Sequence, residues 1–185
     1  MRGISQIERD FTLPKTPFKG RVPVVIDSGE QFPFSFSQDR FVEIVRPLAA
    51  GDYSIAGLEG DFAVERKSSI DELVSWFTAG RARFYHEIAL LSKIPAAMIV
   101  VETGGVGEII KHDYKSDMNP QSAIGTIISI IQRFRVPIFF AESRLNARLF
   151  VEQSMLYHCA KIFDKYNKIK GLNKDEQNSI LPKIK

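Results

Sequence analysis

The spacing of the apolar residues changes directly after Lys67. Upstream of that residue, apolar side chains form short runs or alternate with polar ones at residues 22–27, 41–47, 51–55 and 62–67. Because alternate residues of a strand share a face, these segments predict β-strands. Downstream, apolar residues recur every three or four positions, which is typical of helices that pack on one side. The pattern therefore predicts a group of strands followed by helices.

Helices and apolar strands alternate in the second part of the chain. Helix starts are predicted at Ser69 by a capping box and at Asn119 by an N-cap followed by proline. Residues 81–93 have a helical apolar face, and residues 96–101 and 136–141 are apolar enough to form buried strands. This order predicts an α/β domain in which helices cover both faces of a central sheet.

The length of 185 residues corresponds to one domain, and a hydrophobic content of 44% can form a substantial core. We expect an extended N-terminal arm at residues 1–20, the folded domain at residues 21–166 and a basic tail at residues 167–185. The first residues carry charges where a signal peptide requires an apolar segment, and the apolar runs are too short to cross a bilayer. We therefore expect a protein that is intracellular, in the cytoplasm or nucleoid if the source is prokaryotic or phage, and neither secreted nor membrane-bound.

The charge and cysteine content add two weaker constraints. The net charge of +3 and the pI of about 9.0 permit a nucleic-acid partner without requiring one. Cys159 is the single cysteine, so an intrachain disulfide is excluded, which fits a reducing compartment.

Three consecutive charges, Glu65, Arg66 and Lys67, close the strand predicted at residues 62–67. On a strand, Glu65 and Lys67 point to one face and Arg66 points to the other. A hairpin with the preceding strand would bring Asp52 beside Glu65, so that two carboxylates and one ammonium meet at a sheet edge. A carboxylate pair suits Mg²⁺, with Mn²⁺ as a substitute, and a nearby lysine can orient or deprotonate a water or stabilise a developing charge. That chemistry is phosphodiester hydrolysis, and the alternative is an exposed edge strand blunted by charge.

The segment GDYSI…AVERKSSID resembles the GD-(x)n-ERK-xxx-D signature of the XPF/Hef family of structure-specific DNA endonucleases, in a stand-alone bacterial, phage-like or archaeal form. The segments VVIDSGE, GRARFYHEIALL and IPAAMIVVE are similar to family segments in the same order, and the resemblance covers residues 22–163. It implies a restriction-endonuclease-like, or PD-(D/E)xK, fold with a central mixed sheet and helices on both faces. Gly29 departs from the family, which usually has Arg at that position. Only about twenty residues follow the last predicted helix, so we expect no tandem helix-hairpin-helix modules here.

The resemblance also implies roles for individual acidic and basic residues. Asp52 and Glu65 are assigned as metal ligands, and Lys67 is assigned as the group that orients water or stabilises charge. Asp27 is assigned as a third acid at the metal, although it could be only the acid that ends a strand.

Arg66 and Asp71 complete the catalytic set that the resemblance implies. Because Arg66 points away from Glu65, we expect it to tie down Asp71 or the start of the following helix. Asp71 has an alternative role, since an acid in the first helical turn is stabilised by the helix dipole whatever the function. Arg81 and Arg83 are predicted to bind DNA phosphates, and the alternative is an ordinary solvated face.

Other kinds of site are not supported. The three histidines are too scattered for a zinc site, and the glycines at residues 104–107 do not fit a dinucleotide-binding motif, so no nucleotide cofactor is predicted. We expect a flexible turn at residues 104–107, a polar loop at residues 111–115 and a core position for Trp76.

The expected function is that of a Mg²⁺-dependent DNA endonuclease acting in DNA repair or recombination. Its substrates are expected to be branched or flap DNA cut near duplex–single-strand junctions, a preference that the resemblance alone implies. One alternative is a catalytically inactive nuclease-like module for DNA binding or dimerisation. Another is a PD-(D/E)xK exonuclease that processes DNA ends.

A homodimer is predicted from surplus apolar surface on two helices, and the resemblance implies pairing through the same half of the fold. The helix at residues 120–134 holds five isoleucines, of which Ile130 lies off the stripe formed by the others. The last helix adds Phe150 and Met155. Surplus apolar surface marks a contact site, and the alternative occupant is the N-terminal arm.

Overall fold

A six-stranded mixed sheet lies at the centre of the computed structural model, which describes residues 20–78 and 80–170. The strands are β1 (Val22–Ile26), β2 (Phe41–Val45), β3 (Tyr53–Ile55), β4 (Phe62–Lys67), β5 (Ala96–Val101) and β6 (Ile138–Phe140). They lie in the order β2-β1-β3-β4-β5-β6. The β1–β3 and β3–β4 pairs are antiparallel, whereas the β1–β2, β4–β5 and β5–β6 pairs are parallel.

Five helices surround the sheet within the described residues. They are α1 (Ile70–Thr78), α2 (Arg81–Leu91), α3 (Val106–Lys111), α4 (Pro120–Arg133) and α5 (Arg144–Lys170). None of these helices is long and apolar enough to span a membrane.

The sheet carries a separate apolar core on each face. Helix α5 and the irregular segment between β1 and β2 cover one face, where Phe34 and Phe36 pack with Val151 and Met155. Helices α1 to α4 cover the other face, and the core there includes Leu73, Ile88, Ile109, Ala123 and Ile130. The predicted α/β sheet with helices on both faces is confirmed.

The polar residues before the helices cap them much as their sequence predicts. The Oγ of Ser69 accepts a hydrogen bond from the N–H of Glu72 at 3.3 Å, while the Glu72 carboxylate accepts from the N–H and hydroxyl of Ser68 instead of closing a full capping box. The side chain of Asn119 accepts from the N–H of Ser122 at 2.9 Å. These bonds satisfy N–H groups that a helix start leaves without a partner inside the helix.

Three local predictions are wrong in their bounds. Residues 106–111 form the short helix α3, on which Ile109 is buried. The turn expected at residues 104–107 therefore ends at Gly105, and the polar loop expected at residues 111–115 begins at His112. A buried strand was expected at residues 136–141, but β6 covers only Ile138–Phe140. It is not fully buried, because it is the edge strand of the sheet. Helix α5 continues to Lys170, beyond the start predicted for the basic tail. The N-terminal arm at residues 1–19 and the tail at residues 171–185 lie outside the described residues.

The surplus isoleucines of α4 were also assigned to the wrong side. Ile130 is fully buried, because Ala123, Ile127 and Ile130 form the inner stripe. Ile128 and Ile131, expected in that stripe, are 46% and 44% exposed. On α5, Met155 is fully buried, and Phe150 is partly buried against Phe139 in a ring stack with centroids 3.7 Å apart. Exposed apolar surface is therefore present on α4, but on other residues than predicted.

Candidate active site

The hairpin of β3 and β4 brings Asp52 and Glu65 together, as the strand pattern predicted. Tyr53 pairs with Val64 across the two antiparallel strands, and the N–H of Asp52 donates to the Val64 carbonyl at 2.7 Å. One Asp52 carboxylate oxygen accepts from the N–H of Arg66 at 2.6 Å. The backbone of β4 therefore holds the first carboxylate beside the second.

Alternation along β4 separates the three consecutive charges. The Nζ of Lys67 lies 2.5 Å from Oε1 of Glu65 on one face, and both side chains are largely buried. The Arg66 side chain points to the opposite face, where it contacts Glu102 and Glu30. The prediction that Glu65 and Lys67 share a face is confirmed.

Burial and crowding of charge shift the acidity of these groups. Burial, together with the neighbouring Glu65 carboxylate, raises the pKa of Asp52 to about 8. Burial also raises the pKa of Glu65, although the ammonium of Lys67 opposes that shift. For Lys67, burial lowers the pKa, but the charge and hydrogen bond of Glu65 outweigh burial and raise the pKa overall. Without a cation, Asp52 therefore holds a proton at neutral pH, because its surroundings do not compensate two carboxylate charges.

Asp27 lies in the same cleft, but its carboxylate organises two loops. One oxygen accepts from the N–H of Leu48 at 2.7 Å and the other from the N–H of Gly29 at 2.8 Å. The N–H of Asp27 donates to the Asp52 carbonyl at 2.8 Å, which joins the end of β1 to the start of β3. Three acids do not gather in a ready-made metal site anywhere in residues 20–78 and 80–170, so the side chains best placed to hold a cation are Asp52 and Glu65.

The partner predicted for Arg66 was wrong. Its guanidinium donates to Glu102 at 2.5 Å and to both oxygens of Glu30 at 3.1 Å, and it does not contact Asp71. Arg144, at the start of α5, donates to the same Glu102 oxygen at 2.6 Å. Two acids and two arginines therefore form a largely buried network behind β4.

Asp71 is not brought into the acidic cluster. Its carboxylate accepts from the N–H of Lys115 at 2.7 Å, and the Lys115 ammonium lies 3.8 Å away. This bond connects the first turn of α1 with the loop that precedes α4. The structure thus gives Asp71 a structural partner at a helix start, which is the alternative considered for it.

Two adjoining cavities of about 370 and 360 Å³ open at the end of β4. Both are lined by Gly29, Asp52 and Lys67, so these residues lie where the cavities meet. The first cavity extends toward Glu30 and Phe32. The second extends toward α2 and is lined by Glu65 and the residues Trp76, Arg83, Glu87 and Leu90. The candidate active site is therefore a trough that runs past the acids in two directions.

Of the two arginines predicted to bind DNA, only Arg83 lines this trough. It is highly exposed and donates to Glu87 at 2.7 Å. Arg81 lies instead at a groove of about 670 Å³ between α2 and α4, with its guanidinium 5.9 Å from the Tyr85 ring.

Three residues of the site were not identified from the sequence. Trp76, expected in the core, packs against the core with one side and lines the trough with the other. Its indole N–H donates to Glu87 at 2.5 Å, and the Lys67 ammonium lies 4.7 Å above its ring. Glu102 follows β5, which runs parallel to β4, and its N–H donates to the Lys67 carbonyl at 2.8 Å. An acid directly after a strand parallel to β4 was the signal for Glu102, whereas no pattern marked Trp76 or Glu87.

A family model described as the ERCC4 domain matches residues 26–151. XPF from Aeropyrum pernix in complex with DNA is similar with a TM-score of 0.52 and 17% identity over 79% of this chain and 66% of that chain. XPF from Aeropyrum pernix is similar with a TM-score of 0.55 and 16% identity over 88% of this chain and 69% of that chain. The chain thus spans about two thirds of each of these structures, and it shares their restriction-endonuclease-like fold. No curated protein matches the sequence.

Proposed function

Because the chain belongs to the ERCC4 domain family, we propose that it is a metal-dependent DNA endonuclease. The family assignment confirms the resemblance to XPF-type nuclease domains. The observation that carries the proposal is the group of Asp52, Glu65 and Lys67, which meet at the junction of two cavities on one sheet edge. An inactive relative used only for binding would have no need to keep this acid–acid–lysine set in an open cleft.

The donor set supports Mg²⁺, or Mn²⁺, held by Asp52 and Glu65. These are oxygen ligands, and Mg²⁺ is commonly bound through one or two carboxylates together with substrate phosphates. Mutual repulsion contributes to the raised pKa of Asp52, and a divalent cation would relieve that repulsion. A bound Mg²⁺ supplies Lewis acidity for phosphodiester hydrolysis. Asp27 would support this site through the loops that it holds.

The residues of the chain provide position and charge for the reaction. Because the pKa of Lys67 is raised, its side chain is an ammonium at neutral pH and acts as a hydrogen-bond donor, not as a base. It can orient the attacking water and stabilise negative charge that develops on the phosphate. Trp76 lies against this ammonium and limits its motion, and Arg83 offers a charge to a phosphate farther along the trough.

The preferred substrate on this proposal is branched or flap DNA, cut near a duplex–single-strand junction, in DNA repair or recombination inside the cell. Support comes from the resemblance to XPF-type domains and from the XPF of Aeropyrum pernix, which is described in complex with DNA. An exonuclease acting on DNA ends and an inactive DNA-binding module are the competing outcomes of the test below.

We also propose that the protein is a homodimer. Ile128 and Ile131 are exposed side by side on α4, where two large apolar side chains are costly to leave in water. A second copy of the chain paired on this face would cover them. Both residues are absent from the lining of the trough, so pairing there would leave the acids open to DNA.

A cleavage panel tests the proposed activity. End-labelled linear duplex, single strand, 3′-flap, 5′-flap, fork and Holliday junction would each be incubated with Mg²⁺, Mn²⁺, Ca²⁺ or EDTA. We expect internal cuts near the junction of flaps or forks with Mg²⁺ or Mn²⁺, and none with EDTA. Stepwise shortening from ends would indicate the exonuclease, and binding without cutting would indicate the inactive module.

Glu65→Gln is the matched test that the cuts come from this site. It removes one charge from the metal ligands while keeping the shape of the side chain, so cleavage should fall by orders of magnitude. DNA affinity should stay equal or rise, because a negative charge near the phosphates is removed. Glu142→Gln, at an exposed position after β6, serves as the control and should cut like wild type. Full cleavage by Glu65→Gln would contradict the assignment.

A further inference from the structure

Phe32 is the most exposed large apolar side chain among residues 20–78 and 80–168, at 70% exposure. It follows β1 and lines the outer part of the cavity that also holds Asp52 and Lys67. Single exposed apolar residues are common and by themselves indicate nothing. Phe32 differs because its backbone is fixed from both sides and because it stands at the mouth of the candidate active site.

The backbone of Phe32 is held by the buried charge network. Its N–H donates to Oε1 of Glu30 at 2.7 Å, and Arg66 in turn holds Glu30. Its carbonyl accepts from Nη2 of Arg144 at 2.8 Å, and the same nitrogen donates to the Pro33 carbonyl at 2.7 Å. A residue before proline is restricted to extended conformations, which removes further freedom. The exposed ring is therefore presented by a backbone with little freedom to move.

The next aromatic residue anchors this segment in the core. Phe34 is buried and stacks on Tyr53 with ring centroids 5.1 Å apart, and its N–H donates to the Tyr53 hydroxyl at 3.0 Å. The Arg144 guanidinium lies 5.1 Å from the centroid of the Phe34 ring. Tyr53 belongs to β3 and directly follows Asp52, so the position of Phe32 is coupled to that of a candidate metal ligand. Such preorganisation lowers the entropic cost of a contact made by the ring.

The chemistry of this end of the trough favours an uncharged contact. Glu30 and Glu72 line the cavity beside Phe32 together with Arg66, and Arg66 is already paired with Glu30, while the Phe32 ring offers neither a charge nor a hydrogen-bond donor to a phosphate. A nucleobase is neutral and has a flat face, which an aromatic side chain can stack against. Gly29 has no side chain to close the passage between Phe32 and the shared centre of the two cavities.

We propose that Phe32 stacks on an unpaired nucleobase next to the phosphodiester bond to be cut, and so selects DNA in which a base is free of its pair. This inference rests on the proposed nuclease function and names the feature of the substrate that the site reads. Bases inside a duplex already stack on both faces, so they cannot use Phe32 without being unstacked first. A fork or flap offers a free base where duplex and single strand meet.

Two forked DNAs with the same phosphates give the sharpest test. One fork carries normal bases in the unpaired arms, and the other carries abasic sugars at the first unpaired positions of both arms. Affinities would be measured by fluorescence anisotropy with Ca²⁺ in place of Mg²⁺. Wild type should bind the normal fork about tenfold more tightly than the abasic fork, as expected for one base–aromatic stack. Phe32→Ala should bind both forks equally, and Phe32→Trp should restore the difference.

Tyr166→Ala provides the matched control, because Tyr166 is a similarly exposed aromatic residue on α5, away from the trough. It should keep the tenfold difference. If Phe32→Ala also keeps that difference and still cuts the normal fork, Phe32 does not read a base and the proposed function stands. If wild type neither binds nor cuts any of the DNAs, both proposals fail. A change of molecular mass in light scattering of Phe32→Ala would make Phe32 a contact between copies and would overturn the inference.

Discussion

Lys67 illustrates how neighbouring charges decide the role of a residue. Burial favours its neutral form, but contact with Glu65 at 2.5 Å outweighs burial, and the pKa rises above the ordinary value of 10.5. A lysine that stays charged cannot remove a proton from water at neutral pH. On the proposed function, its contribution to hydrolysis is therefore orientation and electrostatic stabilisation.

Lys67→Ala should reduce the cleavage rate about 10²- to 10³-fold, which is the usual effect of removing one donor that stabilises a transition state. Mn²⁺ affinity, measured by calorimetry, should stay close to the wild-type value because Asp52 and Glu65 remain. Lys93→Ala, at an exposed position between α2 and β5, is the control and should have no effect. Cleavage at the wild-type rate by Lys67→Ala would show that this lysine has no part in the reaction.

Asp52 should make the metal-free protein less stable as pH rises. The pKa of Asp52 is about 8 in the folded chain, whereas its ordinary value of 3.8 applies to the unfolded chain. The folded state therefore binds the proton more tightly than the unfolded state does. This contribution to stability is complete below about pH 4 and is lost as pH rises through about 8. Asp52→Asn removes the titrating group, so between pH 5 and pH 8 the free energy of unfolding of wild type should fall by an amount on the order of 4 kcal/mol relative to that of the variant.

Urea unfolding in EDTA at several pH values measures this difference. Mg²⁺ should reduce the pH dependence of wild type, because a cation at Asp52 and Glu65 favours the ionised carboxylate. It should leave Asp52→Asn almost unchanged. Parallel pH curves for the two proteins in EDTA would mean that the Asp52 carboxylate is not perturbed by its surroundings.

At the scale of elements, the site depends on how β4 is held between its neighbours. Glu102 follows β5 and receives both Arg66 from β4 and Arg144 from α5. Arg66 also holds Glu30 in the loop after β1. Glu102 thus connects β4 with α5, which lies on the opposite face of the sheet from α1. Its loss should therefore affect the whole fold.

Glu102→Gln should lower the free energy of unfolding by about 3 kcal/mol, because it leaves two buried or half-buried guanidinium groups with less negative charge. The control is Glu59→Gln, which breaks an exposed ion pair with Arg46 and should cost under about 1 kcal/mol. Chemical denaturation of both variants gives the comparison. Equal losses would mean that the network behind β4 does not stabilise the fold more than a surface pair does.

Local sequence patterns predicted the elements whose residues interact with near neighbours in the chain. Alternation separated Glu65 from Arg66, and the caps at Ser69 and Asn119 marked helix starts. Contacts between distant segments could not be predicted in this way. Arg66 meets a glutamate that lies 36 positions later, and only the parallel pairing of β4 and β5 brings the two together.

The same reasoning explains the error on α4. A helix with isoleucine at five positions has more than one apolar stripe, and the stripe that faces inward depends on the orientation of the helix on the sheet. That orientation is set by the neighbouring elements and not by the helix itself. Ile130 packs inside with Ile127 and Ala123, so Ile128 and Ile131 are left outside.

At the scale of the whole molecule, the two faces of the sheet have different surroundings. Helix α5 covers one face, whereas α1 to α4 cover the other and leave part of α4 uncovered. The trough is bordered by the end of β1, the start of β3 and the helices α1 and α2. DNA can therefore reach it without passing over the exposed side of α4. The proposed assembly and the proposed catalysis can therefore be tested separately by mutation.

Ile128→Ser and Ile131→Ser together should convert the proposed dimer into a monomer, because each removes exposed apolar surface that pairing would bury. Light scattering at micromolar concentration should give twice the chain mass for wild type and the chain mass for the double variant. Unfolding of the double variant should resemble that of a folded monomer, since neither side chain is in the core.

Ile130→Ala is the matched contrast on the same helix. It should lower the free energy of unfolding by about 2–5 kcal/mol through a core cavity and leave the dimer contact itself intact. A wild-type mass that stays monomeric as concentration rises would exclude the dimer, and the exposed isoleucines would then need another cover.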